Sequence, residues 1–130
     1  MIEDEANVPD EISCADQIFD VAMHKSSNTL AAGLIDGSIE VWRHTGNEGG
    51  ENAKLLTLKP HMASVRGVVI ADDGQMLYTV SKDRSIKGID TNGAISVNYV
   101  NAHRTSINKL TFVSQSGLAT GDDSGHVKIW

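Results

Sequence analysis

Along the chain, short apolar runs are separated by small polar clusters. Within the runs apolar and polar side chains trade places at every second residue, as in Ile39-Glu40-Val41-Trp42 and Val127-Lys128-Ile129-Trp130. A period of two sends successive side chains to opposite faces of an extended strand. No stretch shows the 3.6-residue spacing of an amphipathic helix. Asn92-Gly93 suits a two-residue hairpin turn because both residues tolerate positive φ, and Asp36-Gly37 and Gly125 supply further tight turns. The pattern predicts strands at roughly 18–24, 29–35, 38–43 and 53–59, the same cycle of four over 65–99, and a partial cycle over 107–130. The expected fold class is all-β, built of successive antiparallel hairpins.

The cycles are copies of one another. His61, Val65, Val68 and Ile70 recur as His103, Ile107, Leu110 and Phe112, each 42 positions on. Leu77, Thr79, Ile86 and Ile89 recur as Leu118, Thr120, Val127 and Trp130 at an offset of 41, one turn residue having been lost. An earlier copy, Ile18, Val21, Met23, Leu30, Asp36, Ile39 and Trp42, precedes its counterparts by 47 positions, the extra length lying between Thr45 and Asn52. A period near 40 with four strands per unit is the signature of a propeller blade, a small sheet that buries its faces against its neighbours.

At this point the chain resembles the Trp-Asp (WD) repeat family over about residues 18–130. His61 and His103 stand at that family's repeat histidine, and Trp42 and Trp130 at its tryptophan. The resemblance implies a hydrogen-bonded network inside each blade, formed by a histidine, a strand Ser/Thr, a turn aspartate and the tryptophan. Blade two would supply His61, Thr79 and Asp83 but has Ile89 for the tryptophan. Blade three would supply His103, Thr120 and Trp130 with Ser124 at the aspartate. Blade one keeps Asp36 and Trp42 but has Cys14 and Ala32 at the remaining places. On this count no blade holds the full network, and moderate rigidity is expected, since a buried group left unpaired costs about 1–3 kcal/mol.

The resulting expectation is a partial, unclosed β-propeller with blades at about 18–60, 61–102 and 103–130, the last incomplete and the first without its outer strand. Such an arc is expected to be a truncated N-terminal piece. It would expose apolar faces and strand edges at both ends, so poor solubility or self-association is expected, or a need for further blades.

Composition narrows the function. The formal net charge is -6, but residues 1–17 hold six acids and no base, leaving the remainder with 11 of each. A neutral body lacks the field that phosphate neutralisation needs, so direct nucleic-acid binding is not expected. The acidic start, with Pro9, reads as a disordered tail over 1–17. A single cysteine, Cys14, and no Asn-X-Ser/Thr acceptor fit an intracellular chain, and no apolar run suits a membrane.

Catalytic chemistry finds no support. His61 and His103 recur at one repeat position, whereas a general base is needed once. Asp122-Asp123-Ser124-Gly125 lacks the alternating acids and distant Glu of a calcium loop, and phosphate-loop, nucleophile-elbow and zinc-protease motifs are missing. No enzyme activity, cofactor or metal is expected.

What remains is protein binding. If the loops carrying His61 and Asp83 share a rim, then Arg66, Lys82, Arg84 and Arg104 gather across two adjacent blades as a partner-binding patch. Within the WD-repeat family, the segments at 33–41, 80–90 and 120–130 resemble a branch that implies a nuclear or nucleolar scaffold linked to ribosomal RNA processing. The alternative implied is a substrate-recruiting adaptor of a cullin-4 ubiquitin ligase. Such adaptors carry Trp-Asp-x-Arg, whereas here Trp42 is followed by Arg43-His44-Thr45 and Ile89-Asp90-Thr91-Asn92 lacks both Trp and Arg.

Overall fold

A computed structural model describes residues 10–45 and 50–130. Eleven strands appear in it: β1 (Ile18–His24), β2 (Thr29–Leu34), β3 (Ile39–Arg43), β4 (Ala53–Leu58), β5 (Val65–Ile70), β6 (Met76–Ser81), β7 (Ile86–Asp90), β8 (Ile95–Tyr99), β9 (Ile107–Phe112), β10 (Leu118–Asp122) and β11 (Val127–Ile129). They form three antiparallel sheets, ordered β1-β2-β3-β4, β5-β6-β7-β8 and β9-β10-β11, none of them closed. The all-β propeller arc read from the alternation is therefore what the chain adopts. Blade one is a full four-stranded sheet with β4 on its outer side, so the expected loss of its outer strand does not occur. No helix among the described residues is long and apolar enough to cross a membrane.

Alternation explains how the blades stack. Antiparallel register places Ala31 beside Val41 and Val41 beside Leu56, all on one face of blade one. That face meets Val65, Val68, Leu77 and Ile89 of blade two, with Ile39 joining the same core. The opposite face of blade two contributes Val80 and Ile86 to a second core with Ala102 and Ile107 of blade three. Tyr78 and Phe112 close that second junction edge to face, centroids 5.9 Å apart. Burying a Val, Leu or Ile side chain stabilises by about 1.5–3 kcal/mol, so the two cores hold the blades side by side.

Each first-to-second strand pair slips by one residue at the same repeat position, between Ile18 and Asp20, between Val65 and Gly67, and opposite Gly121–Asp122. The residues passed over are Phe19, Arg66 and Asn108. A bulge bends its strand and redirects a side chain. Here Arg66 is aimed at the equivalent residue of the next blade, its guanidinium donating to Asn108 Oδ1 at 2.6 Å.

The acidic start behaves differently from expectation where it is described. Residues 1–9 of the expected tail lie outside the described residues. Residues 10–17 are bound to blade one: Asn52 donates to Asp10 at 3.0 Å, Ala15 N–H to Glu40 at 2.9 Å and Ile35 N–H to the Gln17 carbonyl at 2.9 Å. The cause is local, because the buried carboxylate of Glu40 needs donors and the start of the chain supplies one.

Candidate protein-binding rim

The rim turns rest on buried polar networks. In blade two the His61 ring is 2% exposed and both nitrogens are engaged. Its Nδ1 lies 3.0 Å from Asp83 Oδ2 and 2.9 Å from Ser85 Oγ, and its Nε2 lies 2.7 Å from Thr79 Oγ1. Asp83 also accepts the backbone N–H groups of Met62 and Ser85. Burial raises the Asp83 carboxyl, but the Ser85 hydroxyl, the Met62 N–H and His61 outweigh it and hold it below the ordinary aspartate range. For His61 burial wins over the pull of Asp83, and the imidazole is held below its usual value, favouring the neutral ring.

Blade three builds the same device and completes it. His103, 2% exposed, places Nδ1 2.8 Å from Asp122 Oδ2 and Nε2 2.7 Å from Thr120 Oγ1. Trp130 donates its indole N–H to the same hydroxyl at 2.8 Å. An indole nitrogen can only donate, so Thr120 oxygen accepts from it and gives its own proton to His103 Nε2, leaving Nδ1–H for Asp122. The expectation that no blade has the full set is thus corrected. The carboxylate comes from Asp122 at the end of β10, two residues ahead of Ser124. Asp122 Oδ1 takes the backbone N–H groups of Ser124 and His126. The His126 N–H above all, aided by His103 and the Ser124 N–H, lowers its carboxyl to about 2 against the opposing effect of desolvation.

Blade one uses another solution, which the repeat count missed. Asp36 is exposed and serves only its own turn, accepting the Ser38 N–H at 2.9 Å, so it belongs to no buried network. Ser38 also holds the Asp36 carboxyl below its ordinary range, through hydroxyl and N–H alike. The buried acid is Glu40, 1% exposed and opposite Ala32 on β2. Trp42 donates its indole N–H to Glu40 Oε1 at 3.0 Å, and Ala15 N–H binds the other oxygen. Lys54 stands 4.0 Å from Glu40 and 5.6 Å from the centre of the Trp42 ring. Cys14, beside them, has its thiol raised by burial and then by the Glu40 charge, both of which disfavour the thiolate. The readable signal was that Trp42 needs an acceptor, and Glu40 two residues earlier shares its face.

Above the networks the structure joins the loops of blades two and three. The Ala102 N–H donates to the Arg84 carbonyl at 2.9 Å, Ser106 Oγ to the Lys82 carbonyl at 3.4 Å, and the Arg84 guanidinium to Asn101 at 3.0 Å. Lys82, Arg84 and Arg104 are exposed on this joined surface. Arg84 holds a φ of 71°, a left-handed conformation that non-glycine residues seldom adopt. Arg66 stands apart from the three: it is partly buried, held by Asn108, and 3.8 Å from Asp123. Among the described residues no cluster of three or more His, Cys, Asp or Glu is placed to hold a metal ion.

Repeated blades carrying buried His-Thr-Asp networks define a WD-type propeller segment, and comparison with known proteins agrees. The profile of the WD domain, G-beta repeat matches residues 11–43, 52–90 and 95–130. The chain belongs to the WD-repeat family. In particular it is similar to WD repeat-containing protein 55 of Bos taurus, 37% identical over 125 residues, which are 95% of this chain and 32% of the relative. The protein of the same name from Arabidopsis thaliana is 37% identical over 121 residues, 92% of this chain and 34% of the relative. WD repeat-containing protein JIP5 of Coprinopsis cinerea is 36% identical over 120 residues, 92% of this chain and 29% of the relative. The chain spans about a third of the length of these curated relatives.

Proposed function

We propose that the chain acts as a non-catalytic protein-interaction scaffold whose joined rim of blades two and three is a partner-binding surface. The observation that carries this reading is the set of exposed bases Lys82, Arg84 and Arg104 on loops tied across the blade junction. Backbone bonds and buried networks fix these loops, so their charges are presented with little ordering cost on binding. His61 and His103 have their ring nitrogens engaged by protein groups and almost no exposure, which suits fixing the fold and leaves them out of reach of a substrate.

Similarity to WD repeat-containing protein 55 supports a nuclear, nucleolar setting and a role in ribosomal RNA processing as the finer reading. The ligase-adaptor alternative has less behind it, because neither Trp42 nor Ile89 opens a Trp-Asp-x-Arg sequence. The test is charge reversal, Lys82→Glu, Arg84→Glu and Arg104→Glu together, in cells depleted of the native protein. Loss of nucleolar enrichment and accumulation of ribosomal RNA precursors are expected. Normal partners, location and precursor pattern in the triple variant would sink the rim reading.

A further inference from the structure

Residues 10–17 lie on blade one as a strap with three anchors, the bonds of Asp10, Ala15 and Gln17 to Asn52, Glu40 and Ile35. Burial alternates along it: Ile12 and Cys14 are half-buried, while Glu11, Ser13 and Ala15 are exposed. Successive side chains of an extended segment point to opposite sides, so an inward Ile12 and Cys14 put Ser13 outside. The Ser13 hydroxyl has one loose bond among the described residues, donated to Glu11 Oε1 at 3.4 Å. Phosphoryl transfer needs a hydroxyl that can be placed in line with the γ-phosphate of ATP, and an exposed serine on extended chain meets that need. Few bonds and little apolar burial also let such a segment lift at low cost, which gives a kinase access to both sides of it.

The charge flanking Ser13 is all of one sign. Asp10 and Glu11 precede it, Asp16 follows three residues on, and residues 1–17 contain no base. Kinases select substrates by charge pattern, and this pattern suits a peptide groove lined with Lys and Arg. Two other hydroxyls have an acid three residues on, and their surroundings set them aside. Thr120, ahead of Asp123, is 1% exposed and bound to His103 and Trp130. Thr45, ahead of Glu48, is half-buried with its hydroxyl on Asn52.

A phosphoserine carries about −1.5 to −2 charge at pH 7. At position 13 it replaces the hydroxyl bond to Glu11 by repulsion, on a strap that already rests on the buried Glu40 carboxylate. Lys54, the cation beside Glu40, lies 4.0 Å from Oε1 and 5.6 Å from the centre of the Trp42 ring, so its charge is already engaged there. Like charge therefore opposes the docked strap.

We propose that Ser13 is a phosphorylation site for an acid-directed protein kinase, and that the phosphate releases residues 10–17 from blade one. ATP is the donor: a bond forms between Ser13 Oγ and the γ-phosphorus as the bond from that phosphorus to the β–γ bridging oxygen breaks. ADP leaves, and the hydroxyl proton passes to the kinase's catalytic carboxylate. Release uncovers Glu40 and the inward side of the strap. The assignment does not depend on the basic rim.

The test treats the full chain with ATP and a casein kinase, which reads acids, or with ATP and the cyclic-AMP-dependent kinase, which reads bases. Mass spectrometry is expected to find phosphate on Ser13 with the first and not with the second. Ser13→Ala should lose that phosphate, and Asp16→Asn, which can still accept the Gln17 N–H, should slow its addition at least tenfold. Both positions are exposed, so neither variant threatens the fold. Amide hydrogen exchange then reads the strap: the Ala15 N–H should exchange at least tenfold faster in the phosphorylated chain and return to the native rate after phosphatase treatment. A Ser13 left unmodified by the casein kinase or modified equally by both kinases would overturn the inference. So would equal rates for Asp16→Asn and the native chain, or an Ala15 amide as slow after phosphorylation as before.

Discussion

The Trp42 indole N–H donates to Glu40 Oε1 at 3.0 Å, across one face of β3. The equivalent tryptophan of blade three, Trp130, donates instead to Thr120 on the neighbouring strand. One donor thus has two kinds of acceptor in two copies of the same unit. Glu40 stands in for a threonine that blade one lacks, where Ala32 faces it on β2.

Removing that carboxylate should be costly. Glu40→Ala leaves the Trp42 indole and the Ala15 N–H without an acceptor, and a loss of about 2–4 kcal/mol is expected from two such orphaned groups. Glu40→Gln keeps one acceptor oxygen and should cost less. Urea unfolding of the two variants beside the native chain measures both, and equal midpoints for Glu40→Ala and native would contradict the assignment.

Thr120 and Thr79 occupy one repeat position but carry different loads. Thr120→Val unpairs His103 and Trp130 together, whereas Thr79→Val unpairs His61 alone, because Ile89 stands where the tryptophan would be. Thr120→Val is expected to be the more damaging by about 1–3 kcal/mol. The ranking is checked by chemical denaturation, and the reverse order would count against the proton arrangement deduced for blade three.

The strands were legible because short apolar runs are bounded by turn residues and some, such as Ile39–Arg43, alternate, and the core face follows from register. The networks were legible only in part. Counting on from Thr120 by the spacing of blade two leads to Ser124, since repeat arithmetic cannot show that the carboxylate of a looser turn comes from Asp122 at the strand end. Glu40 reads as one more solvent-facing charge between Ile39 and Val41, until its burial under residues 14–16 is seen. The pairing of Arg66 with Asn108 depends on a bulge, which leaves no mark in hydrophobic periodicity. Tyr78 and Phe112 were equally unreadable as a junction plug, because their contact crosses from one blade to the next.

Acid should loosen the fold in two stages. His61 is held below its unfolded value, so the unfolded chain takes up that proton first and stability falls as pH drops through the mid-6 range. Asp122 and Asp83 are lowered too, so their contribution is present above the ordinary aspartate range and is lost below it, for Asp122 on the way to about 2. Unfolding midpoints at pH 7.5, 5.5 and 3.5 should decline in that order. A midpoint that rises from pH 7.5 to 5.5 would contradict the His61 assignment, and one that rises from 5.5 to 3.5 that of the two aspartates.

Two turn glycines should differ sharply. Gly37 has a φ of 95°, and a Cβ there would sit 2.2 Å from the His61 carbonyl oxygen, where blade two comes closest. Gly125 has a similar φ of 90° but nothing within 4 Å of that point. Gly125→Ala should cost about 1–2 kcal/mol of backbone strain alone. Gly37→Ala adds a backbone clash and should cost distinctly more, read as a larger fall in thermal midpoint.

The central claim is that buried, proton-ordered His-Thr-Asp networks hold the rim in place and leave neither His61 nor His103 free for chemistry. Long-range proton–nitrogen correlation of the labelled imidazoles at pH 7.5 tests it most directly. Both His61 and His103 should carry a proton on Nδ1, slow to exchange with water. Rings that exchange freely, or that carry their proton on Nε2, would contradict the account.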